Sequence, residues 1–139
     1  MTTKVYADKT TVPVTKSRQD IEAMLRKAKA NRVVHMDERL EAIVMFELAG
    51  HLVKIEVPIK GDATDQVRRS KWRALYLIIK AKIEAVAQGV TTVEQEWLAH
   101  IVLPDGRTVG QWIEPQLQVA YDRGDMPTNP LLLEGPKNG

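Results

Sequence analysis

The sequence predicts an α+β fold: an N-terminal helix, a three-stranded antiparallel meander, a long helix packed on that sheet and two shorter C-terminal helices. Three observations lead there. Apolar residues recur at helical spacing after Ser17, change to strand-like alternation between Val33 and Val57, and return to helical spacing from Val67 onward. Turn formers at Gly50, Pro58, Gly61, Gly89 and Pro104 to Gly106 fall between these stretches. A chain of 139 residues can bury one core but hardly two. The expected organisation is an extended arm over 1–16, a single domain over 17–124 and a flexible or docked tail over 125–139.

The arm is rich in Thr and Lys, contains Pro13 and lacks a long apolar periodicity, with Val5, Tyr6, Val12 and Val14 as its candidates for docking. Ser17 with Asp20 forms a variant capping box, and Ile21, Met24, Leu25 and Ala28 then make one helical face. Glu22 and Arg26 add an i,i+4 pair. Val33 to Met36 is a short strand and Asp37 to Arg39 breaks it; Glu41 to Leu48 and Leu52 to Val57 are the second and third strands. A type II′ turn at Gly50 and His51 sets Leu48 against Val53, Phe46 against Ile55 and Val44 against Val57, with Glu47 facing Lys54 on the other side. Pro58 ends the last strand, having no N–H for the ladder.

After a loop over Gly61 to Gln66, Val67 to Gln88 is the longest helix, with Trp72, Leu75, Ile79, Ile83 and Val86 on its sheet-facing stripe. Gly89 stops it at the C′ position. Thr92 with Gln95 caps a shorter helix presenting Val93, Trp97 and Ile101, with Leu98 and Val102 beside them. Pro104, Asp105 and Gly106 make a tight turn. Thr108 with Gln111 starts the last helix, which Pro115 either kinks or restarts and which runs to Gly124. Prolines and glycines preclude regular structure beyond Asp125, leaving Leu131 to Leu133 as a segment able to pack back.

Hydrophobic residues at 44% and charged residues at 27% are ordinary globular composition. Without cysteine there are no disulfides, thiolate nucleophiles or cysteine-based zinc sites. No stretch reaches the roughly 20 apolar residues of a membrane span, and Met1 to Pro13 has no signal-like apolar core, so a cytoplasmic chain with no membrane partner is expected. Ser17 and Ser70 are the only serines and no nucleophile elbow surrounds them. His35, His51 and His100 fall on a strand, a turn and a helix, none at the i,i+4 spacing of a helical zinc pair. Glu94 and Glu96 suit a first helical turn, and Asp37, Glu38 and Glu41 flank a strand break. No phosphate-binding glycine loop occurs. The expectation is a non-enzymatic protein with no catalytic residues, metal or cofactor.

The net charge of +2 is unevenly placed. Residues 1–59 carry 10 basic and 8 acidic side chains, 60–90 carry 7 and 3, and 91–139 carry 3 and 7. The basic excess centres on Arg68, Arg69, Lys71, Arg73 and Lys80. Arg69, Arg73 and Lys80 share the polar stripe of the long helix. Cations at a helix N-terminus oppose its dipole, and a partner anion would explain the arrangement. These five residues are therefore the candidate nucleic-acid-binding face, with Trp72 or Tyr76 as a stacking surface. Lys82 falls inside the apolar arc and is expected to snorkel or to meet a carboxylate.

The order helix, three antiparallel strands, helix, with basic residues opening the second helix, resembles the double-stranded-RNA-binding domain. Met36-Asp37-Glu38-Arg39 stands where that family has a Gly-Pro-x-His loop, and the second helix is longer here. A meander capped by one long helix also resembles the single-strand annealing proteins of phages. At the level of residues, three stretches resemble small uncharacterised bacteriophage and prophage proteins: Val12-Pro13-Val14-Thr15-Lys16-Ser17-Arg18, Lys71-Trp72-Arg73-Ala74-Leu75 to Lys80-Ala81-Lys82-Ile83-Glu84-Ala85-Val86, and Leu98-Ala99-His100-Ile101-Val102-Leu103-Pro104 to Gly110-Gln111-Trp112 and Pro115-Gln116. That resemblance implies an accessory protein acting on DNA or on a host or phage protein, and it carries no site residues.

Two functions follow as expectations. The first is nucleic-acid binding through Arg68, Arg69, Lys71, Arg73 and Lys80. The second is a protein-interaction module, an inhibitor, adaptor or self-assembling component, suggested by Trp72, Trp97 and Trp112 and by an arm able to clasp a neighbour.

Overall fold

The computed structural model describes residues 7–126. The elements are α1 (Val14–Lys27), β1 (Asn31–Asp37), β2 (Glu41–Leu48), β3 (His51–Pro58), α2 (Asp65–Ala87), α3 (Val93–Trp97), a 3-10 turn (Leu98–His100) and α4 (Val109–Arg123). The fold is α+β, with one antiparallel sheet in the order β1-β2-β3. Val5, Tyr6 and Leu131 to Leu133 lie outside the described residues.

Helix α1 starts three residues earlier than the sequence suggested, with Pro13 at its N-cap and no side-chain capping bond. Ser17 is not a cap. It stands one turn before Ile21 and two before Leu25, on the face that enters the core, and is wholly buried with its hydroxyl unpartnered. Asp20 instead bonds Lys16 at 2.7 Å. Residues 7–10 lie against α2 rather than reaching away: Ser70 donates to the Asp8 carbonyl at 2.9 Å and Gln66 to that of Thr10 at 3.0 Å.

The β2–β3 hairpin reverses at Ala49 and Gly50, both with positive φ, 51° and 81°, the signature of a type I′ turn. His51 therefore pairs with Leu48, and the whole register moves two residues from that expected: Phe46 opposes Val53, Val44 opposes Ile55 and Ala42 opposes Val57. Two is an even shift, so the same side chains still face the core. Lys54 now opposes Met45, and Glu47 opposes Leu52. Lys54 finds its carboxylate along its own strand, Glu56 at 3.4 Å.

Helices α1 and α2 lie side by side on one face of the sheet. Ile21 and Leu25 from α1, Trp72, Leu75 and Ile79 from α2, and Val44, Phe46, Val53 and Ile55 from the sheet form the buried core. Thr64 caps α2, accepting from the Val67 amide at 3.2 Å. At its end the Gly89 amide reaches the Val86 carbonyl and the Val90 amide that of Ala85, a Schellman closure with Gly89 at φ 74°.

Helix α3 ends at Trp97, and Ile101 and Val102 do not extend it. Ile101 bridges Val53, and the Val102 amide donates to the Leu52 carbonyl at 2.8 Å. The outer edge of β3 offers unpaired backbone groups that an extended strip can satisfy, and Pro104 would soon end a helix in any case. α4 opens with a full capping box between Thr108 and Gln111 and passes through Pro115 as one helix to Gly124. A Cβ on Gly110 would stand 3.0 Å from the Ala99 carbonyl oxygen, so glycine is what lets α4 come this close to the 3-10 turn.

Candidate interaction surface

The five cations proposed for nucleic acid do not form one exposed face. Arg68 reaches Asp37 at 3.2 Å and the Glu38 carbonyl at 2.9 Å, and also donates to the Arg39 carbonyl, so it pins the β1–β2 loop. Arg73 pairs with Asp20 at 3.2 Å and lies 4.0 Å over the Tyr76 ring. Arg69 donates to Gln66 at 2.8 Å. The small cleft beside them is lined by Asp37 and Asp65 as well as Arg68 and Arg69. The dipole conflict at the start of α2 is thus met by the protein's own carboxylates and carbonyls. Lys71 and Lys80 have no ion-pair partner among the described residues. They stand nine residues apart, two and a half helical turns, and so point to opposite sides of α2.

The aromatic side chains are also committed. Trp72 and Trp97 are fully buried. The Trp72 indole donates to Asp37 at 3.0 Å, and Trp97 meets Phe46 edge-on with centroids 5.2 Å apart. Trp112 is partly buried, so tryptophans do not supply the exposed anchors expected of an interface. Lys82 meets a carboxylate as expected, Glu96 at 3.2 Å, and sits 5.5 Å from the Trp97 ring.

The histidines are separated and individually occupied. His35 accepts from Arg18 at Nδ1, 2.9 Å, while its Nε2 meets Glu22 at 2.9 Å, so neither ring nitrogen is left for a substrate. The bonds from His35 and Arg26 hold the Glu22 carboxyl below the usual range. The Lys16 bond, aided by Arg73, does the same for Asp20. Burial and the nearby Lys82 charge lower His100. No group of three or more His, Asp or Glu able to hold a metal occurs among the described residues. No described helix is long and apolar enough to cross a membrane.

What the molecule does present is an apolar furrow. Asp20 stands opposite Arg73, and Met24, Lys27 and Ala28 share the furrow with Tyr76, Lys80 and Ile83, so α1 and α2 run in the same direction. α1 stops near the level of Lys80, while α2 continues for about two more turns, about 10 Å. The missing length of α1 leaves a cavity of about 630 Å³, bounded by Leu48 on the hairpin and by Val93 and Trp97 of α3. Lys27, Lys80 and Glu84 stand on its rim without ion-pair partners among the described residues. Met24, Leu48 and Val93 were legible as apolar positions, but no local pattern marked them as one surface. The furrow arises from a difference in helix length across the layer.

No protein-family model, curated protein or solved structure matches the chain.

Proposed function

We propose that the chain is a non-enzymatic protein-interaction module that takes a partner into the furrow between α1, α2 and α3. The observation that carries this reading is the interrupted helix layer: an apolar cavity of about 630 Å³ left where α1 ends and α2 goes on. The gap continues the place of α1 beside α2, and packed helices lie about 8–10 Å apart, so a helix is the element suited to fill it. Met24 in its lining adds an adaptable apolar contact. Nucleic-acid binding, with the phage-type role attached to it, draws less support, because Arg68 and Arg73 are paired internally and Trp72 offers no stacking face.

The test is affinity enrichment with tagged wild-type chain and the furrow variant Ile83→Glu, matched for folding by circular dichroism and analysed by quantitative mass spectrometry. At least one protein should be retained by the wild type and lost from the variant. Identical sets of retained proteins would refute the reading.

A further inference from the structure

The furrow lacks a helix, and α4 is a helix without a complete home. Both ends of α4 are closed, by the Thr108–Gln111 capping box and by Gly124 in the left-handed region, yet none of its residues is buried. A fifteen-residue helix is marginal in water unless an apolar face is packed. α4 rests on the 3-10 turn near Gly110. Farther along, Leu117 is 49% exposed and Tyr121 79%. These two side chains are one turn apart and form a ridge, with Glu114 and Gln118 on its flank.

The two surfaces carry opposite net charge. Glu114, Asp122 and Asp125 outweigh Arg123 along this part of the chain. On the furrow rim Lys27 and Lys80 outweigh Glu84. A polarised pair of surfaces of this kind selects register and partner more than it adds raw affinity.

We infer that the furrow of one copy receives α4 of a second copy. This deepens the interaction reading and rests on it. The Leu117–Tyr121 ridge lies against Met24, Ile83 and Val93, with Glu114 and Asp122 turned toward Lys80 and Lys27. Furrow and ridge are different surfaces of one chain, and a two-fold axis that sets each furrow against the other copy's ridge closes an isologous dimer by reciprocal exchange.

Sedimentation equilibrium of the full chain across a wide range of loading concentrations tests this. The wild type should show a concentration-dependent mass above that of the monomer. Leu117→Glu should abolish it. The double variant Lys27→Glu with Lys80→Glu should weaken association at least about tenfold, and adding Glu114→Lys with Asp122→Lys should restore it. Those four positions are on the surface, so the charge exchange remains decisive even if a furrow variant fails to fold. A wild type that stays monomeric, or association indifferent to Leu117→Glu and to the charge exchange, overturns the inference. A monomer that still retains another protein through Ile83 sinks the second-copy proposal while leaving the interaction reading in place. A monomer with no Ile83-dependent partner sinks both.

Discussion

Asp37 closes β1 with one carboxylate oxygen shared between the Trp72 indole, at 3.0 Å, and the Arg68 guanidinium, at 3.2 Å. Trp72 is fully buried, so its N–H has no water to turn to if that oxygen is removed. Arg68 would at the same time lose its carboxylate while still bonded to the loop carbonyls. Asp37→Ala should therefore cost about 2–3 kcal/mol in chemical denaturation, a buried donor left unmet being worth more than the bond itself. Asp37→Asn, which keeps an acceptor, should cost less. Lys71→Ala should stay within about 0.5 kcal/mol of wild type, because nothing is bonded to it. A loss below about 0.5 kcal/mol for Asp37→Ala would mean that solvent replaces the carboxylate. The sequence marked both partners, Arg68 as a ligand for an external anion and Asp37 as a residue in a strand break. Their meeting spans 31 positions, and no local pattern encodes a contact of that range.

At the scale of the element, the hairpin shows what alternation can and cannot specify. Val44, Phe46, Val53 and Ile55 were legible as one face because side chains alternate along a strand. The partner of each was not, since any even shift preserves the faces. The turn decided between registers. Ala49 adopts φ 51°, a left-handed value that costs an L-residue with a plain Cβ, and the gain is a two-residue I′ turn matching the twist of the strands. Asparagine tolerates this region far better than alanine. Ala49→Asn should therefore stabilise the protein by about 0.5–1 kcal/mol, read as a raised denaturation midpoint with an unchanged slope. No change, or a loss, would show that the turn conformation is not what limits the hairpin. Capping signals were more reliable than helix content: Thr92, Thr108 and Gly89 mark real ends, whereas Ser17 mimics a cap and fills a core position.

Over the whole molecule, the layer order was readable and the candidate site was not, because the furrow depends on where α1 stops relative to α2 in space. The same three-dimensional convergence sets the acid response. His100 follows α3, yet it sits in a cleft with Lys54 and Glu56 of β3 and Gln111 and Glu114 of α4, and the Lys82 charge of α2 acts on it. Burial first, and then the Lys82 charge, lower its pKa in the folded protein, while the hydrogen bond that the imidazole gives to the Lys54 backbone opposes them. The sign follows from proton counting. Below the ordinary histidine value the unfolded chain takes up a proton that the folded one refuses, so stability is complete above that value and falls as the pH drops toward the lowered one. Unfolding free energy should thus decline as the pH falls below the ordinary histidine value of about 6.5, and His100→Gln should flatten that slope. Asp20 and Glu22, both lowered, add their own loss farther down, as the pH passes through and below the carboxylate range. Guanidinium denaturation at a series of pH values separates the two windows. An unaltered slope in His100→Gln would mean that the cleft hydrates the imidazole on protonation.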